Sequence, residues 1–273
     1  MSLTFPIRAL ILDMDGVLWH DERPIGDLPA VFARIKAAGL RVVLATNNST
    51  RAPEEYLEKL RAFGVSLTKE QVINSSMATA AALKKRFPEG GVVYVVGERG
   101  ILSALREAGF TPKTGADRPQ NPVAVVAGMD RDISYEKLEI ATQLVRAGAP
   151  FYATNPDRTY PTPRGLAPGA GTIIAALEAS TDTTPIMGGK PEPYLFRLAL
   201  RRMEAAASET LVVGDRLETD IAGGQAAGCQ TALVLSGVTP REKAEAWTPP
   251  IDLIAENLDA VLDVLESGTS RGG

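Results

Sequence analysis

The stretch "RALILDMDGVLW", Arg8 to Trp19, decides how this sequence is read. Ala9–Leu12 are consecutive apolar residues, the pattern of a short strand buried on both faces. Asp13 and Asp15 follow two residues apart, and Gly16 comes next. A carboxylate taken out of water is costly unless it is paired or holds a cation. Two of them at the end of a core strand point to chemistry. In an extended chain, positions i and i+2 face the same way, about 7 Å apart. That spacing suits a nucleophile behind a reacting atom and a general acid beside its leaving group.

Outward from this strand, short apolar runs alternate with helical patterns. The strands expected are Ala9–Leu12, Arg41–Ala45, Val92–Val96, Val123–Ala127, Phe151–Ala153, Leu211–Val213 and Thr231–Leu235. The helices expected are Pro29–Ala38, Pro53–Phe63, Met77–Phe87, Ile101–Ala108, Tyr135–Ala147, Gly171–Ala179, Pro193–Met203 and Ile221–Ala227. Pro-Glu-Glu opens one of them well, and Gly64, Gly109, Gly148 and Gly228 stand where helices should stop. Alternation of this kind means an α/β fold with mostly parallel sheets.

Such folds place chemistry beyond the carboxyl ends of their strands. After the second strand stands "TNNST", Thr46 to Thr50; later come "GGKPEP", Gly188 to Pro193, and "GDRLETD", Gly214 to Asp220. The strand ends thus offer acids, a hydroxyl with amides, and a lysine. Crowded carboxylates need a cation, and ligands that are all oxygen select a hard one, Mg²⁺ foremost. A lysine with hydroxyl or backbone donors suits an anion. Cation and anion donors in one crevice describe a phosphoryl site.

In these residues the chain resembles the haloacid dehalogenase (HAD) superfamily of phosphatases. "DMDGV" resembles its first motif, Thr46-Asn47 its second, Lys190 its third and "GDRLETD" its fourth. The form of the fourth motif, with "ATNPD" (Ala153 to Asp157) and "PGAG" (Pro168 to Gly171), is similar to the NagD-like, p-nitrophenyl phosphatase branch. The resemblance covers nearly the whole chain. It implies a Rossmann-like parallel-sheet core with an inserted α/β cap of the C2a type. It also implies roles. Asp13 is the nucleophile that forms an aspartyl phosphate, and Asp15 is the general acid and base. Mg²⁺ is held by Asp13, Asp215 and the Asp15 backbone carbonyl, with Asp220 orienting from behind. Thr46 and the Asn47 backbone N–H bind phosphoryl oxygens, and Lys190 neutralises charge.

The distance in sequence between Thr46 and Lys190 far exceeds what one helix, one strand and their loops need. The expected organisation is a core at 1–77 and 183–267, an inserted domain at 78–182 and a disordered tail at 268–273. The core recognises only phosphate, so the insertion should choose the substrate. Asn155–Pro161, "NPDRTYP", resembles the branch's specificity loop, with Asn155, Asp157, Arg158 and Tyr160 as candidates. The branch acts on sugar phosphates, nucleotides, phosphoglycolate, glycerol phosphate and pyridoxal phosphate, and the sequence does not choose among them. A homodimer through the cap stays open. So does a phosphotransferase or mutase outcome on the same fold. A receiver-like phospho-acceptor shares the acidic pocket but is about half as long and has no insertion.

Composition excludes other classes. The chain has 273 residues and a formal net charge of −4, with no long basic run, which argues against nucleic acid as partner. No apolar stretch approaches a membrane span, and Pro6, Arg8 and Asp13 interrupt any leader-like run. The single cysteine, Cys229, permits no internal disulfide and fits a cytoplasmic protein. A cysteine phosphatase would need an arginine where Leu235 stands. His20 is the only histidine and reads as an ordinary loop residue, so histidine-based phosphatases and His-rich zinc sites are excluded. No Gly-rich segment carries the Gly-Lys-Ser/Thr of a nucleotide loop.

Overall fold

A computed structural model describes residues 3, 4, 6–162 and 164–269. It divides into two compact units: Met1–Thr46, Pro53–Ile73 and Pro191–Gly273 in one, Asn47–Ala52 and Asn74–Lys190 in the other. The stretch 78–182 falls inside the second unit, which runs further at both ends and takes in 47–52. Of the tail at 268–273, residues 268 and 269 close the helix Leu258–Thr269, and the rest lies outside the described residues.

The first unit is built on a six-stranded sheet. Its order is Leu253–Ala255, Gln230–Val234, Thr210–Gly214, Ala9–Leu12, Arg41–Thr46 and Val72–Asn74. Ala9–Leu12 lies centrally and pairs in parallel with both neighbours; Leu12 stands opposite Val213 on one side and Leu44 on the other. All its residues are buried, which explains an unbroken apolar run where a half-exposed strand would alternate. Leu10, Leu12, Leu44, Leu211 and Val213 share one core with Trp19, Leu60 and Val261. Truncating such a residue to alanine costs roughly 2–5 kcal/mol.

The second unit has a five-stranded parallel sheet, ordered Ile186–Met187, Phe151–Ala153, Ala124–Ala127, Gly91–Val96 and Phe110–Lys113. Val93 and Val95 join one apolar cluster, Tyr94 and Val96 another, as the two-residue period of a strand requires. The helices Ala170–Thr181 and Tyr135–Arg146 pack on the Tyr94 face.

Several elements differ from expectation. The added strands Val72–Asn74, Phe110–Lys113, Ile186–Met187 and Leu253–Ala255 are all short and lie at sheet edges. Phe110–Lys113 carries Pro112, which an edge tolerates and a central strand does not. Trp19–His20 and Arg23–Pro24 form a small antiparallel pair, so His20 lies in a hairpin, exposed, where a plain loop was expected. Thr159–Thr162 pairs with Gly165–Pro168, so the expected loop 155–161 is a loop only to Arg158. The helix Leu258–Thr269 is also additional, though Leu258, Val261, Leu262 and Leu265, all buried, carry the helical spacing.

Candidate active site

In the first unit, three adjacent strands end together. Asp13 follows the central strand, Asp215 follows Thr210–Gly214, and Thr46 is the last residue of Arg41–Thr46. The Asp13 N–H donates to the Val213 carbonyl at 2.9 Å, which continues the ladder one residue past the strand. Asp13 is half-buried, whereas Asp215, Asp220 and Thr46 are buried. Asp13, Asp215 and Asp220 each bring one carboxylate oxygen within 4.8 Å of the others. The structure thus sets Asp220 beside the other two acids. The Asp15 side chain is turned to a different partner: it is exposed, and its Oδ1 accepts from the Trp19 indole N–H at 2.9 Å.

The backbone explains how acids fit so closely. A Cβ on Gly237 would stand 2.1 Å from Asp215 Oδ2, and one on Gly16 would stand 2.6 Å from the same oxygen. Gly16 also has φ +83°, where glycine is favoured. Asp215 is fixed further by the Val238 N–H, which donates to Oδ2 at 2.9 Å, and by Thr239 Oγ1, which donates to its carbonyl at 2.6 Å. Beyond Asp215 the chain makes one turn of π-helix, Leu217–Ile221, a form that recurs at functional sites. This turn carries Asp220, whose Oδ2 accepts from the Arg216 N–H at 3.1 Å. Gly214 leaves the space that the Asp220 side chain occupies, since a Cβ there would meet it at 2.2 Å.

The donor set fits a hard divalent cation. It consists of carboxylate oxygens alone, largely shielded from water, and their mutual repulsion is relieved by positive charge. Nothing in it suits a soft metal, which prefers thiolate or imidazole.

The second unit holds Asn47 of the second motif and Lys190 of the third, while Thr46 lies in the first. Asn47 and Lys190 meet there through a forked pair of hydrogen bonds. Asn47 Oδ1 accepts from the Lys190 N–H at 2.8 Å, and Asn47 Nδ2 donates to the Lys190 carbonyl at 3.1 Å. Lys190 is 2% exposed. Asn155 Nδ2 donates to the Asn47 carbonyl at 2.8 Å, and Ser75 Oγ donates to the same oxygen at 2.6 Å. Asp157 Oδ2 lies 3.4 Å from Asn47 Nδ2. Arg158 is exposed and Tyr160 half-buried. The glycines of "PGAG" hold the loop: the Gly169 N–H donates to the Arg158 carbonyl at 2.8 Å and the Gly171 N–H to the Asp157 carbonyl at 2.9 Å. A Cβ at either glycine would lie 2.3 Å from a backbone oxygen of that loop.

Of the expected residues, then, Asp13, Asp215 and Asp220 come together in one unit and Asn47, Asn155, Asp157 and Lys190 in the other. Trp19 and Gly237 join the acids' surroundings in the first unit, and Ser75 joins Asn47 in the second, without having been singled out from sequence. Trp19 alone carried a signal, as a large aromatic four residues after Asp15.

Known proteins resemble this chain over most of its length. Residues 10–111 match the family model described as haloacid dehalogenase-like hydrolase, and residues 187–261 match one described as HAD-hydrolase-like. The chain is 39% identical to the 5'-nucleotidase YutF of Bacillus subtilis over 253 residues, covering 91% of this chain and 96% of that protein. The structure of NagD from E. coli superposes with TM-score 0.85 at 34% identity, over 93% of this chain and 98% of that one. A glycerol phosphate phosphatase of Mycobacterium tuberculosis, solved in complex with magnesium, superposes with TM-score 0.86 at 33% identity, over 93% of this chain and 76% of that one. Likeness of this extent, with the acids at the ends of the central strands, places the chain among the haloacid dehalogenase-like hydrolases, as a phosphatase of their NagD-like branch.

Proposed function

We propose that the protein is a Mg²⁺-dependent phosphomonoesterase that works through an aspartyl phosphate on Asp13. The observation that carries this reading is the cluster of Asp13, Asp215 and Asp220 at the end of the central strands, with carboxylate oxygens within 4.8 Å. Asp13 attacks phosphorus and displaces the alcohol; the P–O bond to the leaving group breaks as the Asp13–P bond forms. Asp15 gives its proton to the departing oxygen, then takes one from the water that hydrolyses the acyl phosphate. Thr46 and the Asn47 N–H bind phosphoryl oxygens, and Lys190 offsets their charge. Asp13, Asp215, Asp220 and the Asp15 carbonyl are the groups that would hold Mg²⁺. When bound, the cation neutralises charge that would otherwise set a carboxylate against a phosphate dianion. Phosphate monoesters are among the slowest substrates to hydrolyse uncatalysed, so positioning and charge neutralisation must supply most of the acceleration.

The relatives named above differ in substrate, one being a nucleotidase and one a glycerol phosphate phosphatase. For this chain the substrate is a small phosphorylated metabolite. Arg158, exposed, suits an acidic leaving group, and Tyr160 suits a ring. The test is a panel of phosphomonoesters assayed with Mg²⁺ and with chelator, read as kcat/KM and as free phosphate. Turnover that survives chelation would remove the metal from the account. Phosphate passed to an added acceptor in preference to water would make the protein a transferase.

A further inference from the structure

We infer that Asn155 is a positioning residue of the catalytic apparatus and does not read the substrate; the inference rests on the phosphatase reading above. Asn155 is buried, 4% exposed. Both donors of its amide are engaged within the protein: Nδ2 donates to the Asn47 carbonyl at 2.8 Å and to Thr154 Oγ1 at 3.2 Å. Its Oδ1 accepts from the Asp157 N–H at 3.2 Å, closing a turn of its own loop. A buried amide with both donors committed has none left for a ligand.

What Asn155 holds is Asn47, and what Asn47 holds is Lys190. The Asn47 carbonyl is fixed by two side-chain donors, Asn155 Nδ2 and Ser75 Oγ. With its backbone fixed, the Asn47 amide forks the N–H and carbonyl of Lys190. Gly189 completes the lock, because a Cβ there would stand 2.4 Å from the Thr154 carbonyl oxygen and 2.7 Å from Asn47 Oδ1. The Gly189 N–H also donates to that Thr154 carbonyl at 2.7 Å. Lysine carries its charge on a flexible four-carbon stem, so the place of the charge depends on how firmly its backbone is held. Residues 154–155 therefore brace the segment that carries Lys190. A misplacement of about 1 Å at such a group can cost up to about 100-fold in rate.

The experiment compares the full-length wild type with Asn155→Ala and Ser75→Ala. Ser75→Ala removes the other donor to the same carbonyl with little change in volume, so it tests the same brace if Asn155→Ala folds poorly. Rates per folded molecule are measured on p-nitrophenyl phosphate, a sugar phosphate and a nucleoside monophosphate. Inhibition by inorganic phosphate, which has no leaving group, is measured alongside thermal unfolding. The expected result is a kcat lowered about tenfold by Asn155→Ala, by the same factor on all three esters, with weaker inhibition by phosphate. Ser75→Ala should show the same signature. A reordered substrate ranking with unchanged phosphate inhibition would make Asn155 a reader of the leaving group and overturn the inference. Unchanged rates per folded molecule, with only a lower unfolding temperature, would overturn it as well. Should the wild type hydrolyse none of the esters, the phosphatase reading fails by itself. Hydrogen exchange at the Lys190 amide then decides the brace: faster exchange in Asn155→Ala supports it and equal exchange rejects it.

Discussion

The indole Nε1–H of Trp19 donates a 2.9 Å hydrogen bond to Oδ1 of Asp15. The tryptophan is 1% exposed while the carboxylate it holds is open to solvent. Lys59 Nζ lies over the indole at 4.6 Å from its centroid, and the Phe63 ring stands 6.0 Å away. Lys59 also donates to the carbonyl of Asp21, which ties it to the hairpin after the first motif. A clamped ring thus holds one oxygen of an exposed acid.

Trp19→Phe keeps the ring and removes the N–H. A hydrogen bond to a charged group contributes about 1.5–3 kcal/mol, so roughly 10- to 150-fold in rate is at stake where Asp15 must serve the leaving oxygen. An alkyl phosphate, a poor leaving group, should lose that factor. p-Nitrophenyl phosphate, whose leaving group needs little protonation, should lose much less. Equal losses on both would assign Trp19 to folding alone.

Gly237→Ala should damage the cation site. The new methyl would fall 2.1 Å from Asp215 Oδ2, so the aspartate or the loop must move. Overpacking of this kind costs roughly 1–3 kcal/mol of stability. A titration of activity against Mg²⁺ should show the half-saturating concentration raised at least about tenfold, as for other changes to groups that orient metal ligands. An unchanged titration would remove Asp215 from the cation's ligands.

Cys229 should be inert in the folded protein. Burial pushes its thiol up to about 12, from an ordinary value of 9.0. Near neutral pH its thiolate population is therefore about 1000-fold below that of a free thiol, and the thiolate is the reactive form. Alkylation by iodoacetamide should follow unfolding in denaturant, and fast labelling of the native enzyme would show the side chain to be accessible.

The Glu98–Arg131 pair predicts an acid-side loss of stability. Burial of Glu98 works to raise its pKa, but hydrogen bonds from Arg131, Nε at 2.8 Å and Nη2 at 2.6 Å, prevail and hold it below the ordinary 4.5. The folded pKa lies below the unfolded one. The contribution is therefore fully present above the unfolded value and fades as pH falls through the folded value. Between pH 7 and the region below 4.5, unfolding temperatures of Glu98→Gln should fall less steeply than those of wild type. Parallel profiles would mean that the pair contributes nothing measurable.

The sequence made the centre of each sheet legible and left the edges obscure. Ala9–Leu12 and Ala124–Ala127 are buried on both faces, so their apolar runs announce them. Ile186–Met187 and Leu253–Ala255 are two and three residues long at sheet edges, where composition need not declare a strand. Residue types and order pointed to Asp13, Asp215 and Lys190 as candidates, because a charge at a strand end is costly to keep out of water without a partner to meet it. Which way each side chain turns was not legible. That Asp220 joins the acids, that Asp15 turns to Trp19, and that Asn155 turns to Asn47 all depend on how the backbone turns in three dimensions.

The central claim, covalent catalysis by Asp13, is tested most directly by trapping the intermediate. Enzyme with Mg²⁺ and p-nitrophenyl phosphate is quenched in acid during turnover, digested and examined by mass spectrometry, with borohydride reduction as a second route to the acyl phosphate. The account predicts phosphate on the peptide that spans Arg8–Trp19, at Asp13, lost when substrate is exhausted, and neither label nor turnover in Asp13→Asn, which remains folded. Phosphate on another residue, or turnover near the wild-type rate in Asp13→Asn, would contradict it.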